Sequence, residues 1–257
     1  MNTSKQFVLS AFVALAGFLP SSQGAVILSS ADGFAVLGGS TVTSTGNTVL
    51  NGDLGVAPGL AITGFGPGVV NGTIYAGGAV AAQAQADAFT AYSLLAGEAP
   101  VQHLTGQDLG GLTLGPGVRD FTTSAQLTGI LTLDAQGDPN ARFDFQIGST
   151  LTTASSSSIR LVNGAQADNV FWQVGSSAAL GTGTAFLGTI LANQSITLNS
   201  GASMFGRALA LNGAVSLDNN TITAVPELTS FWQLLLAASV FGGLQMVTVW
   251  RRKTGHK

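Results

Sequence analysis

Small hydroxyl side chains, gathered in recurring clusters, are the residues of this chain whose types and spacing could do chemistry. Thr45-Gly46-Asn47-Thr48, Thr153-Ala154-Ser155-Ser156, Thr182-Gly183-Thr184-Ala185 and Ser200-Gly201-Ala202-Ser203 carry them, and Asp218-Asn219-Asn220-Thr221 stands at a comparable place. The chemistry they offer is non-covalent: threonine and serine present methyls and hydroxyls together, and with almost no charge beside them they make a weakly polar surface of many small contacts. Glycine, asparagine and serine also suit tight corners, because they tolerate positive φ and close local hydrogen bonds. Corner chemistry alone accounts for any single cluster. Their recurrence favours a surface, with Thr45, Thr48, Thr153, Ser156, Thr182, Thr184, Ser200, Ser203, Asp218 and Thr221 as candidate contact residues.

Covalent and metal chemistry find little footing. His103 is the one histidine between Ala25 and Pro226, so a Ser/His/Asp triad would have to be built around it, and no Gly-X-Ser-X-Gly elbow is present. A loop or packing role is expected for His103. Asp134, Asp138 and Asp144 lack the alternating ligands and closing glutamate of an EF-hand and read as solvated turn residues. Cysteine is absent, which removes disulfides, thiolate metal sites and thiol nucleophiles. Arg142, Arg160 and Arg207 stand near no evident carboxylate pair, so a carbohydrate-active enzyme ranks third among the readings, and Ser155 to Ser158 reads as a polar strand edge or corner. The expectation is a protein that is not an enzyme and holds no cofactor or metal. Between Ala25 and Pro226 four arginines face eleven carboxylates, a net charge of −7; no basic stripe exists to neutralise phosphates, and nucleic acid is not expected as a partner.

The elements that must position the hydroxyls follow from a repeat. Leu180 to Gly188 realigns with Leu198 to Gly206 at a spacing of 18, and Ile196-Thr197-Leu198 returns as Val215-Ser216-Leu217 at a spacing of 19. A period that short cannot hold a helix pair; it fits one triangular turn of a β-solenoid with about six residues to a side. Phe145-Gln146-Ile147-Gly148-Ser149 and Trp172-Gln173-Val174-Gly175-Ser176 repeat at 27, a turn with an inserted loop. From Ala25 to Tyr75 short apolar runs punctuated by Gly and Asn-Gly read as the first solenoid turns. Residues 79–96 are alanine-rich without internal Gly or Pro, with Val80, Ala84, Ala88, Ala91 and Leu95 at helical spacing and Gly97 as a stop. The spacing predicts one helix lying alongside the solenoid, in a single mainly β domain at 25–224.

Both ends read as processing segments. Residues 1–24 carry Lys5, an apolar stretch from Phe7 to Leu19 and small residues near Gly24, the pattern of a secretory signal peptide. Phe231 to Trp250 is long and apolar enough for a membrane span, and Arg251-Arg252-Lys253 follows as a cytoplasmic basic stop. With Pro226 and Glu227 before the span, residues 225–257 resemble the bacterial PEP-CTERM sorting signal, although the third position is Leu228. That resemblance implies an exosortase-type enzyme and the membrane as partners; a permanent anchor is the other reading. Either way the protein is expected to be exported, to the cell surface or beyond.

The order of several motifs is more specific. Ala31-Asp32-Gly33-Phe34-Ala35-Val36-Leu37, Asn51-Gly52-Asp53-Leu54-Gly55-Val56, the alanine-rich helix, Phe143 to Leu151, Asn169 to Gly175 and Gly206-Arg207-Ala208-Leu209-Ala210 together resemble the microbial ice-binding proteins of the DUF3494 family. The resemblance implies an irregular right-handed β-helix of triangular section with a long α-helix packed alongside, and a flat face that takes ice as its partner, some members carrying Thr-(Ala/Gly)-X-(Thr/Asn) there. Thr45 to Thr48 fits that pattern, Thr153 to Ser156 and Ser200 to Ser203 fit loosely, and Thr182 to Ala185 misses at its last position. The expected function is adsorption to ice by a monomer, with inhibited growth and recrystallisation. A structural or adhesive β-solenoid of the cell surface or exopolysaccharide matrix is the alternative.

Overall fold

Runs of three to eight residues, Phe, Leu, Ile and Val alternating with small polar residues, are too short to make stable walls alone; each gains its second row of hydrogen bonds from the equivalent run one coil away. The computed structural model describes residues 28–225, and all named strand pairings in it are parallel. The leader at 1–24, the apolar span at 231–250 and Pro226, Glu227, Arg251 and Arg252 lie outside the described residues. Among the described residues no helix is long and apolar enough to cross a membrane.

Each coil visits three walls. The first stacks, in spatial order, Ala125–Leu127, Leu151–Thr153, Ala178–Leu180, Ile196–Leu198, Val215–Asp218, Thr41–Thr45 and Ala61–Thr63. The second holds Thr113–Leu114, Ile130–Asp134, Ser158–Val162, the leading halves of Ala185–Ala192 and Ser203–Ala210, then Thr221–Thr223, Val49–Asn51 and Val69–Asn71. The third runs from Gln102–His103 through Gly117–Phe121, Phe143–Ile147 and Val170–Val174 to the trailing halves of the two long strands, then Phe34–Gly38, Asp53–Val56 and Ile74–Ala76.

Chain order and stacking order differ. The segment ending at Tyr75 reads from the sequence as the first solenoid turns. Instead these coils stack on the last ones: Val215–Asp218 pairs with Thr41–Thr45, Thr221–Thr223 pairs with Val49–Asn51, and Phe34–Gly38 takes the third-wall place beside Ser203–Ala210. A single helix, α1 (Gly78–Ala96), then carries the chain back along the third wall. Its 19 residues rise about 28 Å, close to six strand spacings of ~4.8 Å.

The helix docks through Ala81, Ala84, Ala88, Ala91 and Leu95, which are buried against Leu37, Phe171, Leu191 and Leu209 of the third wall. Alanine at four of these five positions lets the helix backbone lie close to the sheet. Ala81, not Val80, opens the buried stripe, and Val80 is exposed. Inside the prism, residues one coil apart meet face to face. Phe145 and Trp172 are register partners whose rings stack at 3.9 Å and 7°, and Phe186 leans on Trp172 at 5.1 Å. That contact accounts for the repeat at 27, and Trp172 Nε1 donates to the Leu187 carbonyl at 3.1 Å.

A buried arginine fastens the two ends of the described span. Arg207 donates through Nε to the Asp32 carbonyl at 2.7 Å and through Nη2 to the Asp32 carboxylate and the Val225 carbonyl, with Nη1 3.4 Å from Thr189 Oγ1.

Candidate binding wall

Period-two alternation decides which side chains of the first wall face outward. Ala125, Leu151, Ala178, Ile196, Val215, Val42 and Ile62 point inward in register, so the next residue of each strand points out: Gln126, Thr152, Ala179, Thr197, Ser216, Thr43 and Thr63. The residues just before the inward rank make a second outward line: Ser124, Thr150, Ser177, Ser195, Ala214, Thr41 and Ala61. Backbone bonds tie that line coil to coil, Ala178 N to Ser195 O and Ile196 N to Ala214 O, each at 2.9 Å. Its hydroxyls hold one another and the neighbouring amides: Ser124 Oγ and Thr150 Oγ1 are 2.8 Å apart, and Ser195 Oγ accepts from Ala214 N at 3.2 Å. In the other line Thr43 Oγ1 donates to Ser216 Oγ at 3.4 Å.

Neither line contains a charge or an aromatic ring. Seven strands at ~4.8 Å give a wall about 29 Å tall, its two lines separated by about 7 Å along the strands.

The clusters read from the sequence form the corner where the first wall turns into the second. Ser156, Gly183, Gly201, Asn219 and Gly46 all have φ between 50° and 69°, the left-handed turn that glycine and asparagine accept at least cost. Backbone bonds line up the residues before them: Ser156 N to Thr182 O, Gly183 N to Ser200 O, Gly201 N to Asp218 O and Asn219 N to Thr45 O. Ser155, Thr182, Ser200, Asp218 and Thr45 therefore form a third outward line along the corner. After one buried residue the chain turns outward again at Ser158, Ala185, Ser203 and Thr221.

This register places the ten sequence candidates in two groups. Thr45, Ser156, Thr182, Ser200, Ser203, Asp218 and Thr221 lie on the surface of the corner or just beyond it. Thr48, Thr153 and Thr184 are buried and cannot touch a surface ligand, which corrects the expectation for them. Thr153 lies two residues after the inward Leu151 and so shares its side; it meets Thr184 hydroxyl to hydroxyl at 2.9 Å and accepts from Gly181 N at 2.9 Å. Thr184 also donates to the Ala154 carbonyl at 3.1 Å. Thr48 turns inward because its corner holds one residue more than the others, and its Oγ1 accepts from Asn220 N at 3.3 Å. The outward residues Thr41, Thr43, Thr63, Thr150, Thr152, Ser177, Thr197 and Ser216 were not among the candidates. Their signal is the small polar residue held between two apolar ones in Ile196-Thr197-Leu198 and Val215-Ser216-Leu217.

The other walls are less suited to a flat ligand. The third is covered by α1. The second presents Phe205 at 47% and Ile130 at 53% exposure, with Arg160 between their levels. Among the described residues no group of His, Cys, Asp and Glu could hold a metal ion. His103 is exposed, with Nδ1 2.5 Å from Asp120 Oδ1.

Known proteins share this arrangement. Residues 36–223 match the Ice-binding-like family. An ice-binding protein of Nostoc sp. (strain HG1) is 58% identical over 222 residues, covering 85% of this chain and 82% of the relative. The crystal structure of an ice binding protein from an Antarctic biological consortium superposes with a TM-score of 0.77 at 47% identity, over 80% of this chain and 93% of that one. That of the ice-binding protein of the Antarctic ascomycete Antarctomyces psychrotrophicus gives 0.75 at 41%, over 77% and 97%.

Proposed function

Because this chain belongs to the ice-binding-like family, we propose that it adsorbs to ice through the first wall and its corner, and that it inhibits ice growth and recrystallisation. The observation that carries this reading is the pair of charge-free hydroxyl lines on seven parallel strands. Strand pairing fixes their positions before any ligand arrives, so many weak contacts form without the ordering cost a flexible surface would meet. Charged side chains would hold hydration shells of their own, and both lines lack them. Adsorbed molecules pin the growing front, which must bulge between them, and the curvature lowers the local freezing point.

The function is binding and needs no catalytic group. The coil is taken as right-handed, the hand that parallel crossovers almost always adopt. The protein works as a monomer outside the cytoplasm, delivered by the leader at 1–24, with the Pro226-Glu227 segment and the basic residues Arg251 and Arg252 serving sorting at the membrane.

Ice recrystallisation and crystal shape in a solution of the purified protein test the reading. Faceted crystals with arrested coarsening are expected. Round, freely coarsening crystals, together with binding to glycans, would transfer the protein to the adhesive scaffolds.

A further inference from the structure

Where α1 ends, the third wall offers it an unusual polar strip. Arg142, Asp144 and Gln146 alternate along the strand Phe143–Ile147 and the residue before it, so all three project toward the helix terminus. Gln146 Nε2 donates to the carbonyls of Leu95 and Glu98, both at 2.7 Å, satisfying acceptors that a helix end leaves open. Arg142 donates through Nε to Asp144 Oδ2 at 2.7 Å and through Nη2 to Glu98 Oε1. Each carboxylate thus spends one oxygen on Arg142. The other two oxygens, Asp144 Oδ1 and Glu98 Oε2, are buried and have no donor, although one guanidinium holds both carboxyl groups beside it. Two buried acceptors on carboxylates that share one guanidinium are costly unless a donor reaches them.

We propose that Glu98 and Asp144 share a single proton, and that this proton latches the C-terminal end of α1 to the solenoid, loosening its hold as the pH rises. One added hydrogen satisfies both orphaned oxygens at once. With Arg142 charged, it also makes the buried trio electrically neutral. The other groups facing the site are few. Arg119, on the neighbouring strand Gly117–Phe121, is attracted to Asp144 and works against the proton, but its Nη1 donates to the Gly117 carbonyl at 2.8 Å and its Nε has no acceptor. Asp120 and His103 pair with each other one strand away. Burial pushes the Asp144 carboxyl up to about 7, Arg142 opposing and Glu98 adding to the rise.

The direction of the pH effect follows. The folded chain keeps a proton that the unfolded chain releases near 4, so this stability is fully present below pH 4 and is lost as the pH rises through about 7. Urea unfolding of the full chain, followed by far-ultraviolet circular dichroism from pH 4 to 8, tests it. In the wild type the unfolding constant should rise by up to about tenfold per pH unit across that range. Asp144→Asn copies the protonated acid, its amide donating to Glu98 while its oxygen accepts from Arg142; it should flatten the profile and be more stable than wild type at pH 8. Glu98→Gln removes only the smaller contribution to the rise and should make the profile shallower without flattening it, and His103→Gln should leave the slope in place. A wild-type slope retained in Asp144→Asn, with lower stability at pH 8, would overturn the proposal. If Asp144→Asn does not fold, the carboxyl carbon shifts of the wild type decide: one of the two groups titrating near 7 supports the shared proton, and both titrating below 5 refutes it.

Discussion

Thr197 sits at the middle strand of the seven in the first wall, with Ala179 and Ser216 as its outward neighbours. Replacing it with tyrosine plants a post there. With bond lengths near 1.5 Å, the phenol oxygen stands about 5 Å farther from the sheet than the threonine methyl. A rigid ice plane resting on that post and on one end of the wall, about 14 Å away, gains a gap that grows from zero to about 5 Å. The gap passes about 1 Å, enough to forfeit up to half of a contact, in less than one strand spacing. One strand of the seven keeps its contacts, and thermal hysteresis should fall below about a fifth of the wild-type value. Tyrosine suits a strand position, so the unfolding midpoint should hold, with a stability change within about 0.5 kcal/mol. Leu187→Tyr on the second wall is the control and should leave hysteresis unchanged. If Thr197→Tyr and Thr43→Tyr both retain full hysteresis with an intact fold, the first wall is not the ice-contacting surface.

Further expectations follow from the corner and the core. Ser200→Tyr and Thr182→Tyr raise one margin of the plane, so hysteresis should drop only in part, as ice-crystal shape and growth rate would register. Thr184→Val takes the hydroxyl partner from buried Thr153, which keeps only the Gly181 amide, and the side-chain donor from the Ala154 carbonyl; it should cost about 1–3 kcal/mol in urea unfolding, while ice activity at a temperature where the protein is folded stays at the wild-type level. Gly201→Val forces a β-branched residue into φ +69° and should destabilise by about 1–2 kcal/mol or more in a thermal melt, with Gly201→Asn milder. Arg207→Met strands the Asp32 carboxylate and the Asp32 and Val225 carbonyls and should cost about 3–5 kcal/mol in chemical unfolding.

Periodicity made the stacked coil readable, because residues 18 or 27 apart pair through the same backbone bonds and pack the same core; Leu180 beside Leu198 and Phe145 beside Trp172 are instances. It could not show which coil neighbours which. Strand pairing is blind to chain order once a helix can return the chain to the other end, and nothing local in Thr41–Thr45 marks Val215–Asp218 as its neighbour. The candidate surface was legible in kind but misplaced by small offsets. Choosing Thr153 rather than Ser155 as the start of a corner shifts the motif by two residues, and the extra residue at Gly46-Asn47 reverses the side on which Thr48 falls. The flat lines themselves went unread because Thr43 or Thr197, alternating with valine or isoleucine, looks like ordinary strand text; only the register between coils turns such residues into rows.

The clamp at Arg207 gives the molecule a front and a back. Asp32 and Val225, near the two limits of the described span, are bolted to one guanidinium at the prism edge between the second and third walls, which lies across from the first. A pull from the Val225 side arrives at that mooring point first, and one from the other side meets it just after Ser30, which is tied to Asp87 of α1; neither route crosses the hydroxyl rows. A protein leashed by either end is therefore held from behind, with the first wall turned away from whatever holds it.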